Sequence, residues 1–123
     1  MEVAYFFDTY AYVELLRGNP AYVSLTKGVG AVTTKLNLLE LHHTVLLTEG
    51  LEVADAHYDA FLACAVPIKD KIFKEASNFR FLHKKKDLSY VDCIGYVMAR
   101  KLGIPLLTGD KAFEGMPGVE FVK

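Results

Sequence analysis

A chain of 123 residues with 52% hydrophobic side chains, eight Phe and seven Tyr can bury one substantial core, and its length fits one domain over 1–123. Its net charge of −1 excludes a polycation that holds nucleic acid through bulk charge, and its nine Gly and four Pro, all scattered, exclude a linker-rich or low-complexity chain. Two cysteines, Cys64 and Cys93, lack zinc-site spacing and make a poor disulfide framework; they read as buried thiols in a reducing cytoplasm.

The chain opens Met1-Glu2-Val3-Ala4-Tyr5-Phe6-Phe7-Asp8, without the basic and apolar regions of a signal peptide. No apolar run approaches bilayer-spanning length. Val3 to Phe7 is apolar without alternation, as in a parallel strand covered on both faces. A helix is expected from Tyr10 to Arg17, stopped by Gly18-Asn19-Pro20, and a short one from Ala21 to Lys27. Ala31 to Thr33 reads as a brief strand. Leu36 to Glu49 and Glu52 to Ala63 read as a helical hairpin turning at Gly50. Asp70 to Lys84 is amphipathic and basic on its wet side; Ser89 to Leu102 is nearly all apolar and ends at Gly103. Ile104 to Thr108 repeats the buried-strand pattern, with Pro105 near its start, and Val119 to Val122 adds an edge. The order predicts a three-layer α/β/α sandwich on a mainly parallel sheet.

Four acids stand out in that frame. Asp8 directly follows the first strand and Asp110 follows the strand ending at Thr108, where parallel α/β sheets gather ligands. A helix from Ser89 to Leu102 runs ~21 Å, and the strand after it returns ~16 Å. That reversal brings Asp110 back to the level of Asp92. Glu40 sits among leucines, with Leu36 and Leu47 on its side of the helix; burial of such an acid is repaid by a cation. Each has a plainer use. Asp8 could cap the next helix. Asp92 could be the acid of a Ser89-x-x-Asp92 capping box, a reading of equal weight to the site. Asp110 could be a turn residue and Glu40 could reach solvent. If the four converge, their hard oxygens suit Mg²⁺ or Mn²⁺ rather than zinc, and two such ions ~3.5–4 Å apart support phosphodiester hydrolysis.

Phe6-Phe7-Asp8-Thr9, Leu39-Glu40, Leu88-Ser89-Tyr90-Val91-Asp92 and Pro105-Leu106-Leu107-Thr108-Gly109-Asp110-Lys111-Ala112-Phe113 together resemble the PIN-domain nucleases, and within them the VapC-type toxins of toxin–antitoxin modules. The resemblance implies a PIN fold, RNA cleavage with Mg²⁺ or Mn²⁺, metal ligation by Asp8, Glu40, Asp92 and Asp110, a homodimer and a cognate antitoxin. It puts Thr108 at the small hydroxyl position that accompanies the last acid, with Thr9 after the first. Cys93 stands where the family often has Ala, and Gly109 where many members carry a polar residue.

From Lys69 to Lys86, seven Lys or Arg face two acids, a local balance of +5 that leaves −6 for the rest. Most of this stretch reads as a solvated helix face; Lys84-Lys85-Lys86 is the segment suited to steering phosphate. Phe79 and Phe81 read as core, although either could stack a base. His43 could reach the mouth of the site, and His42 suits a surface or interface. Tyr5, Tyr10 and Tyr12 read as core or dimer contacts. The apolar hairpin from Leu36 to Ala63 offers a dimer or antitoxin surface, unless it covers the sheet. Two other functions compete. One is an RNA-processing nuclease or non-catalytic RNA- or protein-binding scaffold of the same shape. The other is a phosphotransfer domain of receiver or dehalogenase type, which Tyr10 opposes by standing where a dehalogenase has its second Asp.

Overall fold

Unbroken apolar runs form the centre of the sheet. A computed structural model describes residues 3–123. In it β1 (Ala4–Phe7) pairs with β2 (Gly30–Val32) on one side and with β3 (Leu106–Thr108) on the other; β3 pairs with β4 (Val119–Phe121). The order is β2-β1-β3-β4 and every pairing is parallel. Thr33 continues the β2 edge through a single parallel bridge to Ala65.

Parallel neighbours require long crossovers, and the helices supply them. They are α1 (Thr9–Leu16), α2 (Pro20–Leu25), α3 (Lys35–Glu49), α4 (Leu51–Phe61), α5 (Asp70–Leu82) and α6 (Tyr90–Leu102). Successive strand residues point to opposite faces. Phe6 and Leu106 therefore join Ile72 and Ala76 of α5 and Ile94, Val97 and Met98 of α6 in one core. Tyr5, Phe7 and Leu107 join Tyr12 of α1, Tyr22 of α2, Leu38 and Leu41 of α3 and Ala54 of α4 in the other. Two cores on one sheet make the expected α/β/α sandwich. Gly95 lets α6 lie close on β1, since a Cβ there would stand 3.0 Å from the Phe6 ring.

The observed elements depart from the sequence reading where the backbone already has a use. The Ile104 N–H donates to the Ala99 carbonyl across the left-handed Gly103 that ends α6, and Pro105 has no N–H. The strand thus starts at Leu106, two residues later than expected. The predicted helix over Glu52 to Ala63 stops at Phe61 and tightens into a 3₁₀ turn over Leu62–Cys64. Two side chains correct their expected placement. Leu47 is 73% exposed near the end of α3 rather than flanking Glu40 in an apolar setting, and Phe81 is 65% exposed rather than core. Phe79 does pack inward, stacked between His83 and Tyr96. Tyr5 and Tyr12 are core, and both cysteines are free thiols, Cys93 buried. Among the described residues, no helix is long and apolar enough to cross a membrane.

Candidate active site

Adjacent parallel strands β1 and β3 end side by side, and each delivers an aspartate just past its last residue. Asp8 follows Phe7 and caps α1: its Oδ1 accepts from the Ala11 N–H at 2.8 Å. Asp110 follows Gly109 and caps a 3₁₀ turn, Lys111–Phe113, accepting from the Ala112 N–H at 3.0 Å. Between them Thr108, fully buried at the end of β3, accepts from the Asp110 N–H at 3.0 Å, and its hydroxyl lies near enough to Asp8 to favour the ionised carboxylate there.

Asp92 reaches the same sheet edge from α6, which runs back toward β3. The capping box is fully formed: the Ser89 N–H donates to Asp92 Oδ2 at 2.8 Å, and the Asp92 N–H to Ser89 Oγ at 3.0 Å. Glu40 comes from α3, where its Oε1 accepts from the Thr9 hydroxyl at 2.7 Å. The plainer uses foreseen for the three aspartates as caps and turn residues are thus all realised. They coexist with the site, because a cap occupies one carboxylate oxygen and fixes where the second points.

Electrostatics tie the four together. Burial pushes the Asp8 carboxyl up from 3.8 to about 7, against the Thr108 and Ala11 hydrogen bonds, and the charges of Asp92 and Asp110 raise it further. Burial also raises Glu40, opposed by Thr9 and reinforced by Asp92. Asp92 rises for the same first reason, opposed by both Ser89 bonds and reinforced by Asp110 and Asp87. Each carboxylate is anchored by a cap or a hydroxyl, and among the described residues no three acids, histidines or cysteines stand close enough to hold one ion as they lie. A shared ion would have to draw the side chains inward. The donors themselves fit a hard divalent cation, since the acids that sense one another offer only oxygen. His42 is engaged elsewhere, with Asp55 at 2.7 Å, and His43 is exposed.

A polar relay escaped the sequence reading. Asn37, 2% exposed, donates from Nδ2 to Thr9 Oγ1 at 3.4 Å and accepts at Oδ1 from the Thr34 hydroxyl at 2.7 Å. Thr34 is the N-cap of α3, accepting from the Asn37 N–H. The chain Thr34–Asn37–Thr9–Glu40 links the start of α3 to the start of α1. Its one legible signal was the Thr34 cap position. Gly109 is also explained: a Cβ there would collide with the Tyr10 ring and the Val122 carbonyl, so the departure from a polar residue follows from close packing.

A basic rim borders the acids. Lys86 Nζ donates to the Ala112 carbonyl at 3.3 Å, and Lys86, Asp87 and Lys111 line a cavity of about 390 Å³ with Asp110. A second cavity, about 440 Å³, lies between α3 and α4 and is lined by Leu39, His42, Asp55, Tyr58 and Asp59, none of the four acids.

No curated protein matches the sequence significantly. Among solved structures, the VapC20 toxin of Mycobacterium tuberculosis, described as cleaving the sarcin-ricin loop, superposes with a TM-score of 0.78 at 21% identity, covering 96% of this chain and 98% of that one. VapBC2 from Rickettsia felis, bound to a DNA fragment from its promoter, gives 0.73 at 18% identity and 98% coverage of both chains. A toxin–antitoxin complex from Klebsiella pneumoniae gives 0.73 at 19% identity and 94% coverage of both. These likenesses carry the fold. The profile of the PIN domain matches residues 5–119, nearly the whole chain, and with the carboxylates at the end of its parallel sheet this chain belongs to the PIN domain family.

Proposed function

We propose that the protein is a metal-dependent endoribonuclease acting as one domain over 1–123, with Asp8, Glu40, Asp92 and Asp110 as ligands of Mg²⁺ or Mn²⁺. One observation carries the reading: the charges of Asp92 and Asp110 act on the buried Asp8, that of Asp110 on Asp92 and that of Asp92 on Glu40, so acids from four separate elements lie within electrostatic reach of a neighbour in the set, while caps and hydroxyls fix their orientation. An ion bound there supplies Lewis acidity that activates water and stabilises the leaving oxygen of a phosphodiester.

The chain's own groups do the remainder. Thr108 holds Asp8 and the Asp110 backbone in register, and is the positioning residue of the set. Thr9 orients Glu40. The buried Asp8 keeps a proton to about pH 7 until a cation replaces it, so cation entry and proton release are coupled. The test is direct: wild type should cut RNA with Mn²⁺ or Mg²⁺ and stop with EDTA, and Asp8→Asn should be inactive. Equal cutting by wild type and variant rejects the reading.

The VapC20, VapBC2 and Klebsiella likenesses support the role of toxin in a toxin–antitoxin module, working on cytoplasmic RNA as a homodimer held in check by an antitoxin protein. Exposed Leu39, Leu47 and Leu51 on the α3–α4 hairpin suit a protein interface. Expression of the chain alone should arrest growth, and Asp8→Asn should not. A housekeeping RNA-processing nuclease would be tolerated in active form.

A further inference from the structure

The basic stretch and its aromatic residues do more at the α5–α6 corner than a solvated helix face requires. Tyr90, the first residue of α6, is 64% exposed. It does not lie loose. The Arg80 guanidinium sits over one face, 4.3 Å from the ring centroid. Arg80 is itself fixed, donating from Nε to the Leu88 carbonyl at 3.0 Å. An exposed ring backed by an anchored cation is a rigid platform with one face turned to solvent. Lys86, four residues earlier, reaches the other way to the Ala112 carbonyl. Its ammonium and that of Lys111 flank the cavity that opens at Asp110, and neither has an acid partner within ion-pair distance among the described residues. An ammonium with one carbonyl partner keeps two donors for a ligand.

We infer that this corner is the path of single-stranded RNA: a phosphate next to the scissile one lies between Lys86 and Lys111, and a neighbouring base stacks on Tyr90 over Arg80. Tyr90 and Asp92 both belong to the first turn of α6, about 3 Å apart along the helix axis, so ring and carboxylate stand at the same end of that helix on different faces of it. The pairing of cationic groove and stacking ring suits a single strand, whose bases are free to splay. It sets no base identity, because every base has a stacking face. The inference rests on the nuclease reading for the position of the scissile phosphate.

Binding of a fluorescent single-stranded RNA is measured in an Asp8→Asn background, which holds substrate uncut. Tyr90→Leu should weaken binding roughly 5- to 150-fold, the range for one stacked base, while Tyr90→Phe should match the parent. An RNA with one abasic nucleotide, walked along the strand, should at one position bind weakly to the parent and no more weakly to Tyr90→Leu. Lys86→Ala/Lys111→Ala should lower the slope of log K against log salt by about 0.7, one phosphate on a single strand. Lys69→Ala, at the far end of α5, is the charge control and should leave the slope unchanged. Parent-like binding by Tyr90→Leu, or an unchanged slope in the lysine variant, overturns the path, as does absence of binding by the parent. Cleavage by wild type is scored separately: no cleavage with Tyr90-dependent binding rejects the nuclease and keeps the path.

Discussion

Replacing Asp8 by Asn should abolish function and raise the stability of the metal-free protein at the same time. The carboxyl is 5% exposed, and burial lifts it from 3.8 to about 7. At about 1.4 kcal/mol per tenfold change, holding it ionised costs about 4 kcal/mol above pH 7. Burying the Asn amide N–H groups in its place costs about 1–3 kcal/mol, which leaves a gain of about 2 kcal/mol, a Tm rise of roughly 5–10 °C for a chain of this size. Asn keeps the cap, since its side-chain oxygen can still accept from the Ala11 N–H, so little else is lost in exchange. The sign with pH is fixed. The unfolded carboxyl releases its proton near 3.8 and the folded one near 7, so the unfolded state binds fewer protons between them. Wild-type stability should therefore fall as pH rises across that window and level off above it, while in Asp8→Asn the fall should be shallower, what remains coming from the raised Glu40 and Asp92. Thermal melts in EDTA from pH 4 to 8 read both curves. A variant less stable than wild type at pH 8, or parallel curves, would refute the placement of Asp8 as a desolvated charge.

Other substitutions separate the two duties of the acids. Ser89→Ala breaks the capping box and should cost 0.5–2 kcal/mol, about the usual value of such a cap, while leaving RNA cleavage within a few-fold. Asp92→Asn should do the reverse in melts and cleavage assays, retaining the fold and losing cleavage. Thr9→Val removes the hydroxyl bonded to Glu40 and should weaken Mn²⁺ binding by calorimetry roughly 10- to 100-fold, as for other groups that orient a ligand. Gly109→Ala forces a methyl into Tyr10 and the Val122 carbonyl; it should cost about 1–3 kcal/mol in a urea melt and displace Asp110.

The parts of the fold legible in the sequence are those with one dominant cause. Tyr5-Phe6-Phe7 and Leu106-Leu107 admit few places other than a doubly covered strand, and Gly50 and Gly103 end their helices through positive φ. The residue-level departures come from competition for backbone groups, as where the end of α6 takes the Ile104 N–H from β3. The positions of Asp8, Asp92 and Asp110 followed from connectivity. What connectivity could not disclose is that capping and clustering are one arrangement, because each cap depends on a side-chain rotamer. Asn37 was hidden for a related reason: a buried amide inside an apolar helix has no pattern until the Thr9 hydroxyl arrives from another element. Phe81 and Phe79 look alike in sequence, and only the turn of α5 decides which meets the core.

The central claim is that carboxylates held apart by their caps and hydroxyls close on a divalent ion. Crystals grown with Mn²⁺ and measured for its anomalous scattering test it most directly. The account predicts one or two peaks within about 2.3 Å of oxygens from Asp8, Asp92 and Asp110, with Glu40 bound directly or through water. Peaks at other surface acids, with these four side chains unmoved and unligated, would contradict it.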